Sequence, residues 1–104
     1  MGDSIKIRAT VSGEGCTVKA IIKHVMETGQ RKNVKTGKVI PAHFIKEVTC
    51  THNGNEVLSA SWGTAVSVNP YLSFDVHGAK AGDRVVLSWT DNHGQSDSAE
   101  TLVR

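Results

Sequence analysis

Three histidines stand where predicted strands meet loops. His24 follows the apolar residues of one strand, His43 precedes another, and His93 lies in the turn Asp91-Asn92-His93-Gly94. In a sandwich of antiparallel strands these three places lie at the same end of the molecule. Imidazole is both a proton carrier near neutral pH and a common metal ligand. The sequence therefore predicts a three-histidine cluster, either as polar side chains near loop ends or as an incomplete metal site.

The two cysteines have no spacing that indicates zinc or redox chemistry. Cys16 lies beside a predicted turn, and Cys50 lies inside a predicted strand. No Cys-x-x-Cys motif is present, and two cysteines are too few for a disulfide-rich scaffold. They form either one disulfide or two free thiols, and the sequence leaves both alternatives open.

No other residue pattern indicates a complete catalytic site. The sequence predicts no strand-turn-helix elbow that would present a nucleophilic serine. No glycine-rich loop opens a predicted helix, which argues against a nucleotide-phosphate site. The carboxylates are scattered, and none forms an evident inward-facing pair. The sequence therefore predicts a protein that is not an enzyme and holds no cofactor.

Charge and hydropathy exclude two further classes of partner. The chain has 104 residues and a formal net charge of +2. Its densest basic cluster runs through residues 31–38 without an aromatic residue, which favours a solvated loop over a nucleic-acid surface. No apolar run approaches the ~20 residues that span a bilayer. The segment MGDSIKIRATV shows no secretory signal, since no long apolar stretch follows a charged region.

Apolar residues recur with a period of two, which is typical of half-buried strands. Asn53-Gly54 predicts a tight hairpin, because both residues tolerate positive φ. The sequence predicts seven strands, at about residues 5–11, 18–22, 43–52, 56–62, 72–76, 85–89 and a last strand to about 103. This pattern predicts an all-β fold: one immunoglobulin-like β-sandwich domain of about seven antiparallel strands over residues 1–104.

Several predicted strands are apolar on both faces. If Ile22, Phe44 and Leu87 face the core, then Ile21, Ile45 and Val86 face outward. Such an aliphatic outer face is often covered by another chain. The alternative is that β-branched residues simply favour strands and some stay exposed. One long connection, residues 25–42, is of the length that is usually functional or mobile.

The histidine segments resemble part of the iron site of superoxide reductases. That family combines His-Pro-Met, His-aromatic-Ile and Cys-Asn-x-His-Gly, and this chain offers His24-Val25-Met26, His43-Phe44-Ile45 and Asp91-Asn92-His93-Gly94. The cysteine position falls on Thr90, and no clear fourth histidine stands near the N-terminus. A redox-cycling iron centre needs that soft anionic ligand. The alternative function is therefore a superoxide reductase-like non-haem iron protein with the incomplete ligands His24, His43 and His93.

A longer resemblance covers most of the chain. The matching stretches METGQRKNVKTGKVIPAHFIKEVTCTHNG, VLSASWGTAVSVNPYLSF and GAKAGDRVVLSWTDNHG begin at Met26, Val57 and Gly78. The segment IKIRAT of the first strand also fits, and the order and spacing are specific. On these stretches the chain is identified as a member of the SoxZ family, one subunit of the sulfur-oxidation carrier SoxYZ.

The resemblance implies a non-catalytic role in thiosulfate and sulfur oxidation. In that family SoxY carries the sulfur substrate on a cysteine of a flexible glycine-rich C-terminal arm, and SoxZ is its immunoglobulin-like companion. The segment Thr101-Leu102-Val103-Arg104 agrees, since it has no glycine-flanked cysteine. The resemblance further implies a heterodimer with a SoxY-like protein, transient contact with other sulfur-oxidation enzymes, and a periplasmic location. The chain would be exported together with a SoxY that bears the signal.

The expected contacts with the partner follow from the loop and the outer face. Arg31 and Lys32 would steer acidic enzymes toward the carrier, with a solvated loop as the alternative. Without its partner, the chain would self-associate through the same apolar face. The contacts on the loop side and then the sheet side are Met26, Val39, Ile40, Pro41 and Phe44, followed by Ile21, Ile45 and Val86; core packing is the alternative for each, and the favoured one for Phe44.

Overall fold

The computed structural model describes residues 3–104 and contains seven β-strands. Most of the strands coincide with a segment of period-two hydrophobicity, which turns one row of side chains inward and the other outward. The strands are β1 (Ile5–Ser12), β2 (Gly15–Ile22), β3 (Ile45–His52), β4 (Asn55–Ser61), β5 (Tyr71–His77), β6 (Arg84–Asp91) and β7 (Ser96–Leu102). The exception to this pattern is β7, which has no such apolar row.

The strands form two antiparallel sheets packed face to face. One sheet has three strands in the order β1-β2-β5, and the other has four in the order β4-β3-β6-β7. This arrangement confirms the prediction of an all-β, immunoglobulin-like sandwich. Within residues 3–104 there is no helix long and apolar enough to cross a membrane.

The core lies between the inner faces of the central strands. The alternation places Val18, Ile22, Val48, Val85 and Leu87 in the core, and each is completely buried. Burying an aliphatic side chain of this size contributes about 1.5–3 kcal/mol relative to leaving it exposed. This interior is what holds the two sheets together.

The Asn53-Gly54 hairpin forms as the sequence predicts. Both residues have positive φ, at 50° and 86°. The flanking residues His52 and Asn55 pair directly, so the connection between β3 and β4 has two residues. This geometry matches the right-handed twist of the two strands.

The two sides of the sandwich are closed differently. On one side, Arg104 donates a backbone hydrogen bond to Ala9, and its carbonyl accepts one from Val11, so the end of the chain covers the edge of β1. On the other side, β4 and β5 are edge strands of different sheets, and neither pairs with a further strand. The inward side chains along those two strands are largely half-buried rather than buried.

Residues 27–43 form a protruding hairpin, called here the hairpin arm. Glu27 and His43 pair at its root, and Lys32 pairs with Val39 farther out. Residues 30–39 are exposed, and the side chain of Val34 near the tip is 97% exposed. The molecule is accordingly elongated, with extents of 52 × 21 × 21 Å.

The prediction that Ile45 faces outward is wrong, because a β-bulge reverses the phase of β3. The pairing between β3 and β6 shifts between Ile45 and Glu47. The extra residue puts Ile45 on the same side as Val48 and leaves it fully buried. Phe44, which the strict alternation placed in the core, is half-buried against it.

The predicted aliphatic stripe on one outer face does not exist. Ile21 is outward and 46% exposed, as predicted, but it lies on the three-stranded sheet. Val86 is half-buried on the outer face of the other sheet, where its neighbours are Thr51 and Glu100. Met26, predicted as a loop contact, is also part of the core and only 5% exposed.

Two isoleucine-to-alanine substitutions separate the core from the surface. Ile45→Ala leaves a cavity between the sheets and should lower the free energy of unfolding by about 2–5 kcal/mol. Ile21→Ala removes the same atoms from a half-exposed position and should change it by about 0.5 kcal/mol or less. Urea denaturation of both variants measures the difference. Equal losses in the two variants would contradict the phase reversal at the bulge.

Candidate functional site

A buried carboxylate organises the end of the sandwich that carries the hairpin arm. Asp91, the last residue of β6, is completely buried. Its Oδ2 lies 3.0 Å from Nε2 of His24 and 2.8 Å from Nε2 of His43. Its Oδ1 accepts backbone hydrogen bonds from His93 and Gln95. Four donors therefore surround one anion, as burial of a charge requires.

The hydrogen bonds determine how the His24 ring is protonated. The backbone N–H of Met26 donates to Nδ1 of His24 at 3.1 Å. Nδ1 is thus an acceptor, so the ring proton sits on Nε2 and is donated to Asp91. Met26 reaches this position with a φ of 47°, an uncommon conformation for a non-glycine residue. The strain at Met26 is therefore coupled to the orientation of His24.

The other two histidines complete the cluster. The rings of His43 and His93 stack, with their centroids 3.9 Å apart and their planes 5° from parallel. The rings of His43 and His24 meet edge to face, with their centroids 4.7 Å apart. His93 directs its Nε2 at the carbonyl oxygen of Ala42, 3.0 Å away. The structure thus brings together the three histidines that the sequence predicted at one end of the fold.

The pKa of Asp91 records how strongly the site favours the charged form. Burial alone would raise the pKa of this carboxyl. The hydrogen bonds from His24 and from the backbone of Gln95 outweigh that effect, with His43 and His93 adding to them, and lower the pKa from 3.8 to about 2. Asp91 is consequently an anion at every pH at which the protein is expected to work.

The geometry of the donors does not fit the iron site that was the alternative interpretation. One ring nitrogen of His24, one of His43 and a carboxylate oxygen of Asp91 lie within 4.8 Å of one another, a spacing that one metal ion could occupy. A ligating Nε2 must offer a lone pair, and the ring proton then moves to Nδ1. At His24 that proton would face the N–H of Met26, donor against donor. The hydrogen bonds thus hold His24 in the tautomer whose Nε2 cannot bind a metal, while its Nδ1 lone pair is taken by the N–H of Met26.

Nε2 of His93 is also unavailable as a ligand atom in this arrangement. This nitrogen must donate to reach the carbonyl oxygen of Ala42, so it offers no lone pair. Thr90 stands where the resemblance to superoxide reductases would need a thiolate. The three residues His24, His43 and Asp91 are better described as a hydrogen-bonded unit, called here the clamp, than as a metal centre.

The clamp joins segments that are distant in sequence. His24 follows β2, His43 ends the hairpin arm, and Asp91 ends β6. Loss of the shared carboxylate would leave two imidazoles and two backbone amides without their acceptor. We therefore assign the clamp the task of fixing the root of the hairpin arm to the sandwich.

The clamp continues into the core through an aromatic contact. The rings of His24 and Trp89 meet edge to face, with their centroids 5.1 Å apart. Nε1 of Trp89 donates to the hydroxyl of Ser4, which donates to Asp97 at 2.6 Å. The hydrogen bond from Ser4 lowers the pKa of Asp97. The arm is therefore connected to the chain before β1 and to β7.

A second histidine–aspartate pair lies at the opposite end of the sandwich. Nε2 of His52 is 2.7 Å from Oδ2 of Asp83, and this hydrogen bond, with one from the backbone of Lys80, lowers the pKa of Asp83 to about 2. This pair is more exposed than the clamp, and it supports the turn that precedes β6.

The two cysteines are free thiols inside the core. Cys16 is 1% exposed and Cys50 is completely buried. Burial raises the pKa of both thiols, for Cys50 to about 11, with a further contribution from the nearby Cys16. Of the two alternatives that the sequence left open, the structure has the free thiols.

The remaining predicted contacts all lie on the hairpin arm. Val39 is 51% exposed, Pro41 is exposed and Ile40 is half-buried. Arg31 and Lys32 are exposed, and the Arg31 guanidinium hydrogen-bonds to Glu27 and lowers the pKa of that carboxyl. Contact between these residues and a partner stays a prediction.

Asp91 is the residue that the sequence analysis missed. It was assigned only to the turn before Gly94, since Asp-Asn-x-Gly is a turn signal. The signal that could have found it is the alternation of Val85, Leu87 and Trp89, which puts Asp91 on the inward face of β6.

Acid should weaken the protein through its two histidine-bound carboxylates. Both have folded-state pKa values of about 2 against an ordinary 3.8. Their contribution to stability is therefore present above about pH 4 and is lost as the pH falls toward 2. Asp91→Asn should flatten that part of the stability curve and lower stability at pH 7 by about 1–3 kcal/mol, because the amide cannot satisfy both imidazoles.

Asp83→Asn is the matched control at the other end of the sandwich. This variant should also weaken the fall in stability at acid pH. Its loss of stability at pH 7 should be smaller than that of Asp91→Asn, since its site is more open to water. Urea unfolding at pH values from 2 to 7 compares the two variants. A wild-type stability that stays constant between pH 4 and 2 would contradict the clamp.

Comparison with known proteins agrees with the residue pattern. The model of the family described as sulphur oxidation protein SoxZ matches residues 5–102, from the first residue of β1 to the last of β7. A search of curated proteins finds no match. Because the family model covers nearly the whole chain, the predicted membership is confirmed: this chain belongs to the SoxZ family of sulphur oxidation proteins.

Proposed function

We propose that this chain is the non-catalytic subunit of a SoxYZ-type carrier, and that it supports a SoxY-like protein on whose cysteine the sulfur intermediates are carried. The observation that carries the proposal is the burial of both thiols. A covalent carrier needs a thiol that reaches successive enzymes and ionises readily. Cys16 and Cys50 are buried, and their pKa values are raised. The carrier thiol therefore belongs to another chain.

The histidine cluster supports the same proposal. General acid–base catalysis needs a ring nitrogen that can reach a substrate. His24 is buried, with one ring nitrogen bound to Asp91 and the other to Met26. His93 uses its Nε2 on the carbonyl of Ala42. These three ring nitrogens hold the root of the hairpin arm and are not available to a substrate.

The hairpin arm supplies a surface for the partner. It holds apolar side chains away from the core, with Val34 nearly fully exposed and Val39 half-exposed. The clamp at its root fixes its direction, which lowers the ordering cost of association. Its basic side chains also favour an acidic partner surface and a faster encounter. We propose that the complex works in the periplasm, exported with the SoxY-like partner.

Thiol accessibility tests the proposal directly. Native Cys16 and Cys50 should react with an aromatic disulfide reagent at least about tenfold more slowly than the exposed thiol of the control Ser67→Cys. Both should react fully in urea. After sulfur loading of the complex, mass spectrometry should find the adduct on the SoxY-like chain. An adduct on Cys16 or Cys50 would overturn the proposal.

The hairpin arm gives a second test. Val34→Asp should weaken the affinity for the SoxY-like partner at least about tenfold, since a charge would enter an apolar contact. Val11→Asp, a half-exposed valine at the far end of β1, is the matched control and should leave the affinity nearly unchanged. Calorimetric titration measures both, and thermal melting checks that the folds persist. Equal affinities for the two variants would exclude the arm from the interface.

A further inference from the structure

The strand β5 presents an edge that nothing in the described chain covers. β2 occupies one side of β5, and the other side has no neighbouring strand. At the ends of the β2–β5 ladder, Ile22 donates to the carbonyl of Pro70 and Gly78 donates to that of Glu14, both at 2.9 Å. These two bonds determine which residues of β5 point their backbone groups outward.

Backbone groups alternate between the two sides of an antiparallel strand. Since residues 70 and 78 face β2, the even-numbered residues between them also face β2. The N–H and C=O groups of the odd-numbered residues face the open edge, and no backbone partner for them is found within residues 3–104. These residues are Tyr71, Ser73, Asp75 and His77.

This edge lacks the usual protection against strand pairing. Natural edge strands carry lysine, proline, bulges or inward charges that prevent another strand from adding. Between Tyr71 and His77 the sequence YLSFDVH has no lysine or proline, and its pairing with β2 has no bulge. The only carboxylate, that of Asp75, is held by the hydroxyl of Thr17 at 2.8 Å.

An apolar seam runs beside the open edge. On β5 the inward side chains of Leu72 and Phe74 are half-buried, and across the gap Leu58 of β4 and the following Trp62 are half-buried too. The opposite side of the sandwich is covered by the chain's own residues 103–104. An extended segment with alternating apolar residues would satisfy the backbone of β5 and cover this seam at once.

We propose that the open edge of β5 accepts an extended strand of the SoxY-like partner, which adds to the three-stranded sheet. The inference rests on the proposed function for the identity of the partner. Tyr71–His77 offers about 20 Å of edge, enough for about six residues of the added strand. The side chains that alternate toward the seam would be apolar and would pack on Leu72 and Phe74.

Amide hydrogen exchange distinguishes this docking mode residue by residue. In the free chain the amides of Leu72, Phe74 and Val76 should already be protected by β2. On binding the SoxY-like protein, the amides of Ser73, Asp75 and His77 should slow at least about tenfold. A complex that forms without this odd-numbered protection would overturn the edge inference and leave the proposed function standing. No complex at all would overturn both.

A single substitution tests the role of the edge N–H. Ser73→Pro removes an outward N–H without touching the ladder to β2, and edge strands tolerate proline at such positions. It should weaken partner binding at least about tenfold, whereas the control Ser73→Ala, which keeps the N–H, should bind within about twofold of wild type. Equal affinities would overturn the inference. If Ser73→Pro fails to fold, the exchange pattern of the wild-type complex decides.

A second copy of this chain is the competing occupant of the edge. If the chain alone showed protection of the same odd-numbered amides, rising with protein concentration and unchanged by the SoxY-like protein, the edge would belong to a homodimer. That result would overturn the proposal.

Discussion

The hydrogen bonding of one buried anion determines the arrangement of the end of the sandwich that bears the hairpin arm. Asp91 is tolerated without water only because donors from the end of β2, the end of the hairpin arm and the turn after β6 meet around it. The same bonds direct Nε2 of His24 and Nε2 of His43 toward this carboxylate. The charge thus explains how the root of the arm is held to the sandwich.

The sequence predicted the strands, their number and the class of fold because one physical rule, the period of two, acts along most of the strands, and a turn signal precedes the last one. The rule failed at Ile45, because a bulge inserted a residue there and strict alternation assumes that the phase stays constant along the strand. It also failed to reveal Met26 as core, because that side chain reaches the interior through a left-handed backbone conformation. Asp91 was missed because a turn motif and an inward strand position coincide at one residue.

The histidine cluster shows the limit of argument from topology. The order of the strands and the positions of their ends correctly predicted that His24, His43 and His93 lie together. What the cluster does depends on the direction of individual N–H bonds, and in particular on the amide of Met26, which only the folded backbone fixes. Ligand types alone would have supported a metal site, while the hydrogen-bond directions support a clamp.

The interior position of the two thiols has a consequence for the fidelity of sulfur transfer. Sulfane sulfur passes from thiol to thiol by attack of a thiolate, so any accessible cysteine beside a loaded carrier is a competing acceptor. Cys16 and Cys50 are shielded from such exchange by the packed sheets and by their suppressed ionisation. In the complex that we propose, such a subunit would lie next to a persulfide without taking up its sulfur, and its own thiols would stay reduced.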